Sequence, residues 1–197
     1  MSFICWPPEG VKCDDDQVTF TRMDESTAAQ WQDIVVETME HQPRVADRVL
    51  GLLASLEEIT DGFAVDQLVH SLQTATRAEE AGASTEVVVA SLCHDIGKAV
   101  SVMNHPRIAA EILRPYVSDD TFHMILAHQD FQGRHYYEYL NQDPNARDQY
   151  VGQTWYALAE QFADDWDQTS FDPEYPTKPL SHFEPMVREV FGSLYAH

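Results

Sequence analysis

The sequence is poor in positive charge. Only 12 lysines and arginines stand against 33 aspartates and glutamates, which gives a formal net charge of −21. A surface that binds nucleic acid or an anionic membrane needs clustered Lys and Arg side chains, and the sequence has no such cluster. We therefore predict a small-molecule substrate as the partner, and neither nucleic acid nor membrane. An anionic substrate would need a local positive site, such as a metal ion.

Long apolar runs and cysteines are also scarce. No stretch reaches the roughly 18 apolar residues that a membrane-spanning helix needs. The N-terminus lacks a basic region followed by an apolar one, so we predict no signal peptide. The three cysteines, Cys5, Cys13 and Cys93, are odd in number and widely spaced, unlike a disulfide framework. These absences predict a protein of the reducing cytoplasm.

The alternation of apolar and polar residues that is typical of strands is missing throughout. Apolar side chains recur instead at helical spacing, for example at Val45, Val49, Leu52, Leu53 and Leu56. With 44% hydrophobic residues, the chain can form a core of its own. The pattern predicts an all-α protein of about seven helices.

Capping residues and prolines suggest where the helices begin and end. Ser84 and Ser118 are candidates for helix starts, and Gly82 for a helix end. One long helix is predicted over residues 146–171, and three prolines predict a loop from 171 to 180. Residues 1–25 have no clear period and are predicted to form an N-terminal arm. Residues 26–197 are predicted to form a single domain.

Several of the nine histidines lie on apolar faces of the predicted helices. Imidazole and carboxylate groups without thiolates suit iron, manganese or zinc. The candidate metal ligands are His70, His94, Asp95, His105, His128 and Asp167. The adjacent His94 and Asp95 cannot point the same way on an ideal helix, where successive residues are about 100° apart. Such a pair can reach two neighbouring metal ions if the Asp95 carboxylate is shared between them.

The order H…HD…H…H…D of these six residues resembles the HD-domain superfamily, and HDIGK at 94–98 is the most specific segment. The resemblance covers roughly residues 55–192. It implies a helical bundle with a buried dinuclear metal site. Most members of the superfamily are phosphohydrolases that act on nucleotides or phosphodiesters. A smaller branch consists of mixed-valent di-iron oxygenases, including myo-inositol oxygenase and 2-amino-1-hydroxyethylphosphonate dioxygenase.

Two segments are similar to the oxygenase branch, namely QLVHSLQTA around His70 and WDQ around Asp167. This resemblance implies a di-iron oxygenase (Fe2+/Fe3+) that cleaves a C–C or C–P bond of a small hydroxylated substrate. It also implies an assignment of the ligands. One iron would be held by His70, His94 and Asp167, the other by His105 and His128, with Asp95 bridging.

Lys98 matches a substrate-contacting lysine of the inositol oxygenase and is the candidate catalytic residue. The basic residues of the phosphonate dioxygenase are absent, because their positions hold Gln132 and Asp164. The candidate substrate-binding residues are Lys98, Gln132 and Arg134. The alternative is a phosphohydrolase that uses Mn, Mg or Zn on a small phosphate ester or nucleotide. A non-catalytic interaction protein is disfavoured, because an α-helical domain of this size has no structural need for six ligands.

Overall fold

The computed structural model describes residues 20–41 and 44–195. Within these ranges the chain is all-α, as predicted, and contains no strand. The described α-helices are α1 (Ala28–Glu40), α2 (Val45–Ser55), α3 (Gln67–Glu80), α4 (Thr85–Cys93), α5 (His105–Leu113), α6 (Asp119–Gln132), α7 (Tyr156–Gln161) and α8 (Leu180–Phe191). None of them is long and apolar enough to cross a membrane.

The chain divides into two compact units, residues 1–43 and 44–197. The first unit contains α1, which begins with a capping box in which Gln30 N donates to Thr27 Oγ1 and Thr27 N donates to Gln30 Oε1. Most of the predicted N-terminal arm lies outside the described residues. The boundary predicted at residues 25 and 26 stays a prediction.

Short polar side chains fix the starts of the helices that carry the later site. Asp66, Ser84 and Ser118 each accept a hydrogen bond from a backbone N–H in the first turn of α3, α4 and α6. Such caps satisfy donors that have no partner within the helix, and each stabilises the fold by about 1 kcal/mol. The predicted starts at Ser84 and Ser118 are confirmed.

Helix α3 ends next to Gly82, as predicted from the sequence. Gly82 adopts φ 79°, a left-handed conformation that favours glycine. Its N–H donates to Glu79 O at 3.0 Å, and the N–H of Ala83 donates to Ala78 O at 3.1 Å. This pair of hydrogen bonds is a Schellman motif. It reverses the chain, so that α4 returns against α3.

The core of the second unit surrounds α3 and α4, which pack against each other. Helix α5 packs on α6, and α6 also contacts α7. Large side chains from every side are fully buried in this core: Leu53, Leu92, Ile96, Leu113, Phe131, Phe162 and Phe183. This packing brings α3, α4, α5 and α6 together around one interior region.

The prediction of one long helix over residues 146–171 is wrong. The chain forms a 3-10 turn at Ala146–Tyr150, reverses at Gly152 with φ 92°, and only then enters α7. A π-helical turn follows at Phe162–Asp167. Such turns are rare and are frequent at functional sites, because they rotate the following side chains relative to a regular helix. The loop predicted from residue 171 is confirmed up to α8.

Candidate metal centre

The six predicted ligands converge in the interior of the second unit. They come from five segments: His70 from α3, His94 and Asp95 from the end of α4, His105 from the start of α5, His128 from α6, and Asp167 from the π-helical turn. All six side chains are buried, and the most exposed of them, His105, has a relative exposure of 6%. Buried polar groups in such number require partners.

Backbone carbonyls orient the four imidazole rings. Each ring donates a hydrogen bond from Nδ1 at 2.7–2.9 Å: His70 to Ser170 O, His94 to Ser91 O, His105 to Val102 O and His128 to Ile125 O. In three of them the acceptor lies three residues earlier on the same turn. A neutral ring with its proton on Nδ1 carries a lone pair on Nε2. All four rings are therefore prepared to bind a metal through Nε2.

The four Nε2 atoms form two close pairs. His70 Nε2 lies 3.1 Å from His94 Nε2, and His105 Nε2 lies 3.2 Å from His128 Nε2. Two neutral rings would repel each other at this separation, because neither Nε2 would carry a proton to donate. A cation that both nitrogens can share removes the repulsion.

The carboxylate of Asp95 faces both pairs. Its Oδ2 lies 3.3 Å from His94 Nε2 and 3.5 Å from His70 Nε2. Its Oδ1 lies 3.1 Å from His105 Nε2 and 3.7 Å from His128 Nε2. Each oxygen thus belongs to a different pair, which is the arrangement that a carboxylate shared by two metal ions needs.

Asp167 completes the first pair. Its Oδ1 lies 3.1 Å from His70 Nε2 and 3.5 Å from His94 Nε2. Neither oxygen of Asp167 accepts a hydrogen bond, and neither does Asp95 Oδ1. A fully buried carboxylate oxygen without a partner is costly. The donor set therefore fits metal ions: His70, His94 and Asp167 form one possible group, and His94, Asp95 and His128 another.

Electrostatics in the centre favour a bound cation. Burial opposes the charged form of His94, but the carboxylates of Asp95 and Asp167 outweigh it and raise the pKa of His94 to about 10. Burial likewise opposes the charged carboxylates, yet His94 and the other rings hold the pKa of Asp95 and of Asp167 below their usual values. Burial lowers the pKa of His128, which favours the neutral ring.

The end of α4 explains how an adjacent His and Asp can serve one centre. The helix ends at Cys93, and His94 keeps helical dihedrals, whereas Asp95 leaves them with φ −101° and ψ 3°. The departure turns the Asp95 carboxylate towards the ring of its own neighbour. Cys93 itself is fully buried, and burial raises the pKa of its thiol to about 12, so it offers no thiolate.

Phenylalanines that the sequence analysis did not single out surround the ligands. Phe171 stacks on the His70 ring at 4.2 Å between centroids, and Phe63 stacks on Phe171 at 4.6 Å. Phe162 contacts the rings of His94 and His128 edge to face. Phe162 lies five residues before Asp167, a spacing that places the two side chains on different faces of an ideal α-helix, so the sequence contains no signal for it.

A cavity of about 310 Å³ opens beside the centre. It is lined by Asp61, Phe63, Lys98, Val102, His105, Gln129, Gln132, His135, Tyr136, Gln168 and Phe171. Because His105 is one of these residues, the cavity reaches the ligand set.

The structure brings two of the three predicted substrate-binding residues to the cavity, Lys98 and Gln132. Arg134 is exposed and does not line it, whereas its neighbour His135 does. Lys98 Nζ donates to Asp95 Oδ2 at 2.7 Å and to Gln67 Oε1 at 2.9 Å. Gln67 was not among the predicted site residues, although it lies one helical turn before His70 on the same face of α3.

Comparison with known families agrees with this geometry. The family model of the HD domain matches residues 68–172, a range that contains all six candidate ligands. The chain belongs to the HD-domain family. HD domains are usually metal-dependent enzymes, and the buried His and Asp groups of this HD domain could hold metal ions. A search of curated proteins finds no match to the chain.

Proposed function

We propose that the protein is a di-iron oxygenase that uses O2 to cleave a C–C or C–P bond of a small hydroxylated substrate. The observation that carries the proposal is the Asp95 carboxylate, whose two oxygens face two separate pairs of histidine Nε2 atoms. Imidazole and carboxylate donors without a thiolate suit iron. The resemblance of the segments around His70 and Asp167 to the oxygenase branch supports iron over manganese, magnesium or zinc.

In this proposal the residues divide the work. His70, His94 and Asp167 would hold one iron, His105 and His128 would hold the other, and Asp95 would contact both. When bound, a pair of iron ions would supply the O2 activation that no side chain can provide. The Nδ1 hydrogen bonds to backbone carbonyls keep the rings in the orientation for ligation.

The cavity is suited to a small ligand that is held by hydrogen bonds. Its wall carries the amides of Gln129, Gln132 and Gln168 and the ammonium of Lys98. Lys98 Nζ donates to Asp95 and Gln67, which leaves one of its three donors for a ligand, and the lining residues contain no other lysine and no arginine for a phosphate. This composition favours a hydroxylated substrate over a highly charged nucleotide.

The proposal predicts two bound iron ions per chain and O2 uptake that depends on a hydroxylated substrate. We expect protein purified without oxygen to show a coupled iron pair by Mössbauer spectroscopy. The oxygen electrode then tests a panel of small 1,2-diols and 1-hydroxyalkylphosphonates. Hydrolysis of p-nitrophenyl phosphate with Mn2+, Mg2+ or Zn2+, without O2 uptake, would instead identify a phosphohydrolase.

Lys98→Ala is expected to leave the metal content unchanged and to weaken the binding of the substrate. The Lys98 side chain lines the cavity but is not a metal ligand, so iron content stays unchanged while KM in the oxygen-uptake assay rises about tenfold or more, as for loss of one charged hydrogen bond. Lys178→Ala is the matched control, because Lys178 Nζ also pairs with a carboxylate at 2.7 Å, that of Glu79, far along the chain. Equal KM values in the two variants would remove Lys98 from the substrate site.

A further inference from the structure

Three side chains form a chain of hydrogen bonds that ends at the cavity wall. His135 Nε2 donates to Asp164 Oδ1 at 2.9 Å. Arg147 Nη1 donates to both oxygens of Asp164 at 3.0 Å. The three residues come from three separate segments, so their meeting is a product of the tertiary fold. None of them is among the candidate metal ligands.

Arg147 is buried, with a relative exposure of 5%, which is rare for an arginine. It compensates the charge of Asp164, and Glu160 lies farther away, at 3.6 Å from Arg147 Nη2. Because the Arg147 guanidinium holds both oxygens, the Asp164 carboxylate has one fixed orientation. Asp164 therefore offers the His135 ring an acceptor in a defined place.

A fixed acceptor determines where the His135 ring keeps its proton. The proton of the neutral ring lies on Nε2, since this nitrogen faces Asp164 Oδ1, and Nδ1 keeps a lone pair. The ring lines the cavity that also contains Lys98 and His105. Among the described residues, Asp164 is the hydrogen-bond partner of His135, and this bond uses Nε2. Nδ1 is thus the nitrogen that remains for a molecule in the cavity.

We propose that His135 accepts a proton from a hydroxyl group of the molecule bound in the cavity, with Asp164 and Arg147 as positioning residues. The inference deepens the proposed function and rests on it for the presence of a hydroxylated substrate. In the step, the O–H bond of the ligand breaks and its proton moves to His135 Nδ1. The electron pair of that bond stays on the oxygen. The ring becomes an imidazolium, and its Nε2–H stays hydrogen-bonded to Asp164 Oδ1. No oxidant or reductant takes part.

The first test does not depend on activity. The full chain, loaded with diamagnetic Zn2+ and labelled with 15N-histidine, is studied by long-range 1H–15N correlation spectroscopy. We expect the neutral His135 ring to carry its proton on Nε2, and Asp164→Asn to abolish this preference. A proton on Nδ1 in the unchanged protein would overturn the proposal.

The second test asks whether a hydroxyl group reaches Nδ1. Glycerol is the probe, because it is a small triol that fits a cavity of about 310 Å³. It is expected to shift the Nδ1 resonance of His135 and to leave that of His123 unchanged. His123 is the internal control, since its ring stacks on Trp155 at 5.3 Å and does not line the cavity. Equal shifts, or none at His135, would count against the proposal.

The variants His135→Gln and His135→Ala separate hydrogen bonding from proton transfer. Gln can still donate to Asp164 and accept from a ligand, but it cannot take up a proton. In the iron-loaded enzyme we expect both variants to lose about 100-fold in kcat, with KM raised only in His135→Ala and iron content unchanged in both. Full kcat in His135→Gln would reduce His135 to a structural residue. If the unchanged enzyme shows no O2 uptake, the proposed function fails, and the two NMR tests still decide the role of His135.

Discussion

Asp95→Asn is expected to reduce the metal content of the protein from two ions per chain to one at most. The two Asp95 oxygens face different pairs of histidine nitrogens, so this carboxylate contacts both halves of the centre. An amide offers one weak oxygen donor in place of two charged ones, and its N–H2 group would point at one of the histidine pairs. The measurement is metal analysis by mass spectrometry after gel filtration.

Asp95→Asn should also make the thermal stability of the protein nearly independent of added metal. Metal at about 100 times its Kd is expected to stabilise the unchanged protein by about 2.7 kcal/mol, seen as a rise in Tm that a chelator reverses. Asp95→Asn should lose most of this metal-dependent rise. Two bound ions and a full rise in Tm in the variant would exclude a bridging role for Asp95.

Asp66→Ala is the matched control for this experiment. Asp66 lies near the first ligand in sequence and caps α3 by accepting from Val69 N at 2.8 Å. Its loss should cost about 1 kcal/mol of stability and leave metal content unchanged. The pair of variants therefore distinguishes a ligand from an aspartate that only stabilises the fold.

Gly97→Ala is expected to damage the centre from outside the ligand set. A Cβ at Gly97 would lie 2.7 Å from His105 Cα and still closer to the His105 carbonyl oxygen. Backbone atoms cannot move aside as a flexible side chain can, so the segment at Ile96–Ala99 and the start of α5 must separate. We expect a loss of about 1–3 kcal/mol, as for an overpacked core, and a loss of the metal held by His105 and His128.

Gly51→Ala in α2 serves as the control for Gly97→Ala. Nothing lies within 4 Å of the added Cβ, and the position is exposed within a helix. Alanine there should stabilise the protein by about 0.5–1 kcal/mol without any effect on metal. Urea unfolding with and without metal measures both effects. Normal metal content in Gly97→Ala would show that the close approach of the two backbones is not needed for the site.

The parts of the fold that depend on neighbours in sequence could be predicted. Ser84, Gly82 and Ser118 act through backbone groups three or four residues away, and their roles follow from residue type. The Nδ1 hydrogen bonds of His94, His105 and His128 are equally local. The sequence therefore contains most of what orients the second histidine pair.

Features that depend on long-range contacts could not be predicted from the sequence. The break at Gly152 that divides the predicted helix over 146–171 is not visible in the apolar spacing, because a left-handed glycine and a helical one look the same in sequence. Whether Arg134 or His135 reaches the cavity depends on how α6 ends after Gln132 in a 3-10 turn. A shift of one residue there rotates the side chain by about 100°. The partner of His135 is Asp164, 29 positions later, and Arg147, which holds Asp164, lies 17 positions before Asp164, beyond any local pattern.

The His70 ring is held differently from the other three, since its acceptor, Ser170 O, lies 100 residues further along the chain. During synthesis, the other three rings leave the ribosome together with their backbone acceptors. His70 has no acceptor until the segment after Asp167 has been synthesised. The nascent chain therefore contains two oriented imidazoles, His105 and His128, before the His70 ring of the other pair has its acceptor. We expect ion capture during synthesis to begin at that pair and to finish only when the C-terminal third of the chain has emerged.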